Sequence, residues 1–90
     1  MHFREDGLDT FLWIFNENKE AIRNMPGCTH LELLKDTEDP LTYTTLSHWD
    51  NHASLEKYRE SVLFRTVWGR VKSLFSGKPE AFSLEKFIEV

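Results

Sequence analysis

PGCTHLELLKDTEDPLTYTTLSHWD, residues 26–50, is the stretch whose reading decides the fold. It holds two β-like runs, 28–35 and 41–49, divided by a cluster of turn formers at 36–40. In the first run Thr29, Leu31 and Leu33 alternate with His30, Glu32 and Leu34, the period of two that a pleated strand imposes. The second is rich in Thr and Tyr, which suit a half-buried pleated surface. Together with the turn between them they predict a hairpin. Pro26-Gly27 marks the end of a preceding helix, because proline cannot continue one and glycine accepts the backbone of a sharp exit.

Upstream, residues 8–25 carry Leu8, Phe11, Leu12, Phe15, Ile22 and Met25 at helical spacing, with Asp6 as the expected N-cap. Downstream, Asp50 is expected to cap a short helix bearing Ala53, Leu55 and Tyr58. Ser61 is expected to cap a second, with Phe64, Val67, Trp68, Val71, Leu74 and Phe75 on one face and Gly77 and Pro79 as its stop. Residues 81–90 alternate again and read as a closing strand.

Symmetry of this order asks for a strand before the first helix, yet only Met1, His2 and Phe3 precede the polar Arg4-Glu5-Asp6. Three residues span ~10 Å, against ~17–20 Å for an ordinary strand, so the first strand is short or the natural chain starts upstream. The second reading fits that mismatch better. With a first strand granted, the order β-α-β-β-α-α-β predicts one α+β domain over residues 1–90. It is a ferredoxin-like split βαβ sandwich, an antiparallel four-stranded sheet with helices on one face. Leu34 opposite Leu31 and Leu33, and Phe87 opposite Leu84 and Ile88, put apolar groups on both sides of two strands. A second copy covering the open face is the economical solution, giving a homodimer.

Ninety residues leave no room for a second core, and a chain of this size buries only roughly 60–65% of its unfolded surface. Association would relieve that thin stabilisation. The formal charge of −4, with basic residues scattered among acids, argues against nucleic acid. No stretch resembles a signal peptide or a membrane span, and the single Cys28 forms no internal disulfide. A soluble protein of the reducing cytoplasm is the plain expectation.

Pro26-Gly27-Cys28 after a helix, a hairpin ending in Ser47-His48-Trp49, then Leu55 and Tyr58-Arg59-x-Ser61-x-x-Phe64, resembles the antibiotic biosynthesis monooxygenase domain family. The likeness runs from about Phe11 to the end, and its most specific part lies between Trp49 and Phe64. It implies a dimeric α+β barrel. Some members oxidise quinols or polycyclic phenols with dioxygen and no cofactor, some degrade haem, and many have no established activity. The haem-degrading members resemble this chain around Ser61 and Phe64, but they carry a tryptophan where Tyr58 stands and an iron-ligating histidine where Trp68 stands. Members acting on polyketide phenols pair an asparagine with a tryptophan at the third strand. Trp49 matches the tryptophan, while residues 40–49 contain no asparagine.

Cofactor-free oxygenation needs a base to form the phenolate and a dry aromatic cavity to hold it. His48, at the strand end beside Trp49, is the candidate base; its alternative role is to pack or to cap the next helix. Trp49, Tyr58, Phe64, Trp68 and Phe11 are the candidate substrate-binding residues, with plain core packing as the alternative. His48 and His52 straddle a strand–helix junction rather than sharing a helical face, so no metal site is expected among His30, His48, His52 and Asp50. The leading expectation is thus a cofactor-independent monooxygenase of a small aromatic, a quinol or polycyclic phenol. The rival is a non-catalytic dimer that binds one.

Overall fold

The computed structural model describes residues 1–78, 81–84 and 87–89. A single 3₁₀ turn, Glu5–Gly7, leads into α1 (Leu8–Arg23). β1 (Cys28–Lys35), β2 (Tyr43–Trp49), α2 (His52–Arg59) and α3 (Val62–Lys72) follow. This is an α+β, ferredoxin-like arrangement. Among the described residues no helix is long and apolar enough to cross a membrane.

α1 buries Phe11, Ile14, Phe15 and Ile22 on the stripe that its spacing dictates. Its entry differs from expectation: Gly7 occupies the cap position with no side-chain bond, and Asp6 lies in the preceding turn. Gly7 suits that place because a Cβ would meet Leu74 at 3.1 Å. At the other end Pro26 and Gly27 form the centre of a turn closed by the Cys28 N–H donating to the Met25 carbonyl at 3.0 Å. Gly27 has φ +87°, the left-handed value that the third position of a type II turn requires.

β1 and β2 pair antiparallel in a two-stranded sheet. Cys28 stands opposite Trp49 and His30 opposite His48, so Thr29 is an extra residue, a β-bulge. The bulge reverses the facing of everything after it. Leu31, Leu33 and Tyr43 pack on the core, and His30, Glu32 and Leu34 share the other face with Thr44, Leu46 and His48. That open face is therefore mixed rather than apolar. Asp36 and Asp39 shape the connecting loop. Asp36 accepts from the Glu38 and Asp39 N–H groups, and Asp39 from the Leu41 N–H and the Thr42 hydroxyl. These bonds hold both carboxyls below the usual aspartate range.

Beyond β2 the pairing among the described residues continues as single residue pairs, His2 with Thr42 and Phe3 with Phe75. Segment order across the molecule is thus Phe75, Phe3, β2, β1. The place expected for the closing strand is taken by residues 74–76, because α3 stops at Lys72 rather than at Gly77. Residues 81–84 and 87–89 carry no strand, and Glu85, Lys86 and Val90 of the expected run lie outside the described residues. Phe3 anchors the core: it is fully buried, stacks on Phe11 at 4.2 Å between ring centres, and touches Phe75 and Tyr43.

Candidate functional site

The end of β2 delivers Ser47, His48 and Trp49 to the junction with α2. The Asp50 N–H donates to the Gly27 carbonyl at 2.8 Å, which holds Asp50 in the strand register and leaves capping to Asn51. The Asn51 side chain accepts from the Ser54 N–H at 2.9 Å. Ser61 caps α3 as expected, accepting from the Phe64 N–H at 3.0 Å. With the helices so started, Tyr58 of α2 meets Trp49, and Phe64 and Trp68 of α3 meet Tyr58.

Trp49 lies on the helix side of β2 and stacks on Tyr58 at 5.1 Å, with 22° between the rings. Its indole N–H donates to the Ser47 hydroxyl at 2.9 Å. Phe64 meets Tyr58 edge-on at 5.1 Å and Trp68 at 6.3 Å. The Trp68 indole N–H donates to the Tyr58 hydroxyl at 2.8 Å. Tyr58 is 6% exposed, and burial pushes its phenol up, with the Trp68 bond working in the opposite direction. Four of the expected site residues therefore form one continuous aromatic wall.

Phe11 does not join it. It is fully buried among Phe3, Phe15 and Tyr43, in the closed core that α1 makes. His48 neighbours Trp49 in sequence but alternates to the open face, where it is exposed and its ring stands 4.9 Å from that of His30. His30 Nε2 lies 3.3 Å from the Glu32 carboxylate. His2 pairs with Asp39 and His52 with Glu56, on other elements. Among the described residues no three His, Cys, Asp or Glu side chains gather as a metal cluster. Trp68, at the place where haem-degrading relatives hold iron, offers a donor-only indole already bonded to Tyr58, so it does not fit that ligand role.

One space is lined by both His48 and Trp49. It is a groove of about 960 Å³ along the free edge of β2, closed by Leu55 and Arg59 of α2 and by Phe82 and Leu84 of the C-terminal segment. Strand alternation turns the backbone N–H and C=O of Thr45, Ser47 and Trp49 toward this edge, as it does those of Tyr43, which exchange bonds with Met1 on that side. Arg59 is a member of the site that residue types alone did not single out. Its guanidinium lies 3.2 Å from Glu56 and brings a positive charge to the groove. The signal was present in its adjacency to Tyr58. A smaller hollow of about 410 Å³, floored by Phe15, Leu31 and Leu33, holds none of the expected site residues.

The fold and the site together define a ferredoxin-like α+β domain with an aromatic cluster at the end of β2 and a groove along the edge of that strand. The chain belongs to the antibiotic biosynthesis monooxygenase family, whose model matches residues 1–68. No curated protein matches the sequence. Among solved structures it is similar to a conserved protein from Methanosarcina mazei Go1 at 18% identity and TM-score 0.84, over 88% of this chain and 78% of that one. A candidate antibiotic biosynthesis monooxygenase from Nitrosomonas europaea matches at 16% identity and TM-score 0.80, over 86% and 74%. Another antibiotic biosynthesis monooxygenase matches at 18% identity and TM-score 0.79, over 91% and 92%. At such identities the likeness concerns the fold.

Proposed function

We propose that this chain is a cofactor-independent monooxygenase that oxidises a quinol or polycyclic phenol with dioxygen. The observation carrying the reading is the edge groove, where His48, Trp49 and Arg59 line one space; Tyr58, Phe64 and Trp68 do not line it and connect to it through the stack of Trp49 on Tyr58. In this reading the flat substrate lies against Trp49, with the remaining aromatic side chains holding that indole in place. His48 takes the phenolic proton, and the Arg59 guanidinium offsets the charge of the phenolate that results. The electron-rich anion then reduces dioxygen. One oxygen atom enters the ring and the other leaves as water. In an anthrone-type phenol the CH₂ of the keto tautomer becomes a carbonyl, a four-electron loss. In a quinol a ring C–H becomes C–OH while the quinol becomes a quinone, two electrons each. Either way the four electrons lost equal the four taken by O₂.

The working unit in this proposal is the whole 1–90 domain as a homodimer, joined through the open sheet faces into a four-strand-per-copy α+β barrel. Leu34 at 43% exposure, with Leu84, Phe87 and Ile88 at 75–94%, supplies apolar surface for that association. The same surface is compatible with a dimer that binds a small aromatic without turning it over. Oxygen consumption against naphthoquinols, anthrones and catechols separates the two. Uptake above the protein-free rate, reduced about 10²–10⁴-fold in His48→Ala, is the expected result. Binding without uptake across the panel overturns the oxygenase reading and leaves the binding module.

A further inference from the structure

The hollow of about 410 Å³ between α1 and β1 has no part in the oxygenase reading. Phe15, Lys19 and Arg23 follow one another at four-residue spacing, so they form one row along α1, and the hollow lies between that row and Leu31 and Leu33 of β1. Phe15 is buried and the two leucines are half-buried, which makes the floor apolar beneath a rim that carries two cations. We propose that this hollow binds a medium-chain carboxylic acid, its acyl chain on Phe15, Leu31 and Leu33 and its carboxylate on Arg23 and Lys19.

Arg23 decides the class of ligand. Its Nη1 donates to the Cys28 carbonyl at 2.7 Å, which ties the guanidinium across the turn to the first residue of β1 instead of leaving it extended in water. That bond engages one arm. The Nε–H and the other amino group remain, and together they are an edge that meets a carboxylate in two parallel bonds. Among the described residues neither Arg23 nor Lys19 has a carboxylate within ion-pair distance. Two acids also line the hollow. Glu32 is drawn to His30 Nε2 at 3.3 Å, whereas Glu20 stands beside the cationic row and opposes an anion, as the C-terminal end of α1 does weakly. Charge-assisted bonds to a guanidinium already held in place outweigh both. The row from Phe15 to Arg23 measures ~12 Å along the helix axis, the reach of an extended chain of roughly eight to ten carbons. The hollow is also open on its outer side. The Asp36 N–H donates to the Thr42 carbonyl, so alternation turns the backbone groups of Leu31 and Leu33 away from β2, and no strand among the described residues covers that edge.

This site lies on the helix side of the hairpin, away from the open sheet face and from the edge groove, and it does not rest on the oxygenase reading. Isothermal titration of the intact protein with sodium octanoate, with amide shifts followed by heteronuclear NMR, tests it without any turnover. The expected result is one octanoate per chain, with the shifts centred on Phe15, Arg23 and Leu31. Octanol, equal in chain length but uncharged, should bind at least about tenfold more weakly, and hexanoate about tenfold more weakly for the two methylenes it lacks. Arg23→Lys should weaken octanoate about tenfold, because an ammonium cannot make the paired bonds. Glu20→Gln leaves the Arg23–Cys28 bond untouched and should tighten octanoate about threefold by removing a like charge. His48→Ala should bind as the parent does. Octanol binding as tightly as octanoate, parent-like affinity in Arg23→Lys, no tightening in Glu20→Gln, shifts centred on Trp49, or no binding of octanoate overturns the assignment.

Discussion

Replacing Tyr58 by phenylalanine deletes one oxygen from the aromatic wall and keeps the ring that stacks on Trp49 and meets Phe64. What is lost is the acceptor, 2.8 Å away, of the Trp68 indole N–H. An orphaned buried donor costs about 1–3 kcal/mol, and because Trp68 is only half-buried, water recovers part of it, leaving about 1–2 kcal/mol. For a domain of this size that lowers Tm by about 4–16 °C. A second signature follows from ionisation. Burial raises the Tyr58 phenol in the folded state, whereas an unfolded tyrosine titrates near ~10. The contribution of Tyr58 to the parent's stability is therefore fully present below that value and is lost as pH rises through the folded one. Tyr58→Phe lacks this loss, so the gap in Tm between the two proteins should narrow above pH ~10. Thermal unfolding followed by near-ultraviolet circular dichroism from neutral to alkaline pH reads both effects. A variant within about 2 °C of the parent, with a parallel alkaline profile, would refute the assigned bond.

Gly27→Ala forces a side chain into left-handed backbone and drives its Cβ into the Ser54 side chain and the Asp50 carboxylate. It should cost about 2–5 kcal/mol, read as a lower urea midpoint. Ser61→Ala removes the α3 cap and should cost about 1 kcal/mol in the same assay. Asp36 and Asp39 carry lowered folded pKa values, so their contribution is present above the unfolded value near ~3.9 and is lost as pH falls through the folded ones. The Asp36→Asn/Asp39→Asn double variant should flatten the dependence of Tm on pH in that acid range. Light scattering should give twice the chain mass at micromolar concentration, and a monomer mass would remove the dimer.

The hairpin and its flanking helices were legible because their signals are local. Alternation fixes Cys28–Lys35, a 3.6-residue stripe fixes α1, and the Ser61 hydroxyl must find the Phe64 N–H wherever the helix packs. The Trp49–Tyr58–Phe64–Trp68 grouping was legible for the same reason, since caps at 51 and 61 aim both helices at the strand end. What failed was long-range. Nothing near Phe75 in the sequence announces that its backbone pairs with Phe3, so its apolar side chain reads as the continuation of α3. Phe11 lies on the helical stripe that could face either the wall or the closed core, and only the stack on Phe3 decides between them. The bulge at Thr29 was invisible to strict alternation, and it brings two histidines distant in sequence to one face.

The central claim is that a flat phenol seats against Trp49 between His48 and Arg59. Its most direct test is a heteronuclear NMR titration of the labelled protein with a reduced naphthoquinol under argon, where no turnover can occur. The account predicts the largest shifts at the Trp49 indole, the His48 ring and the Arg59 side chain, with smaller ones at Trp68. Shifts centred on Phe15, Arg23 and Leu31, which line the smaller hollow, or no shifts at saturating quinol, would contradict it.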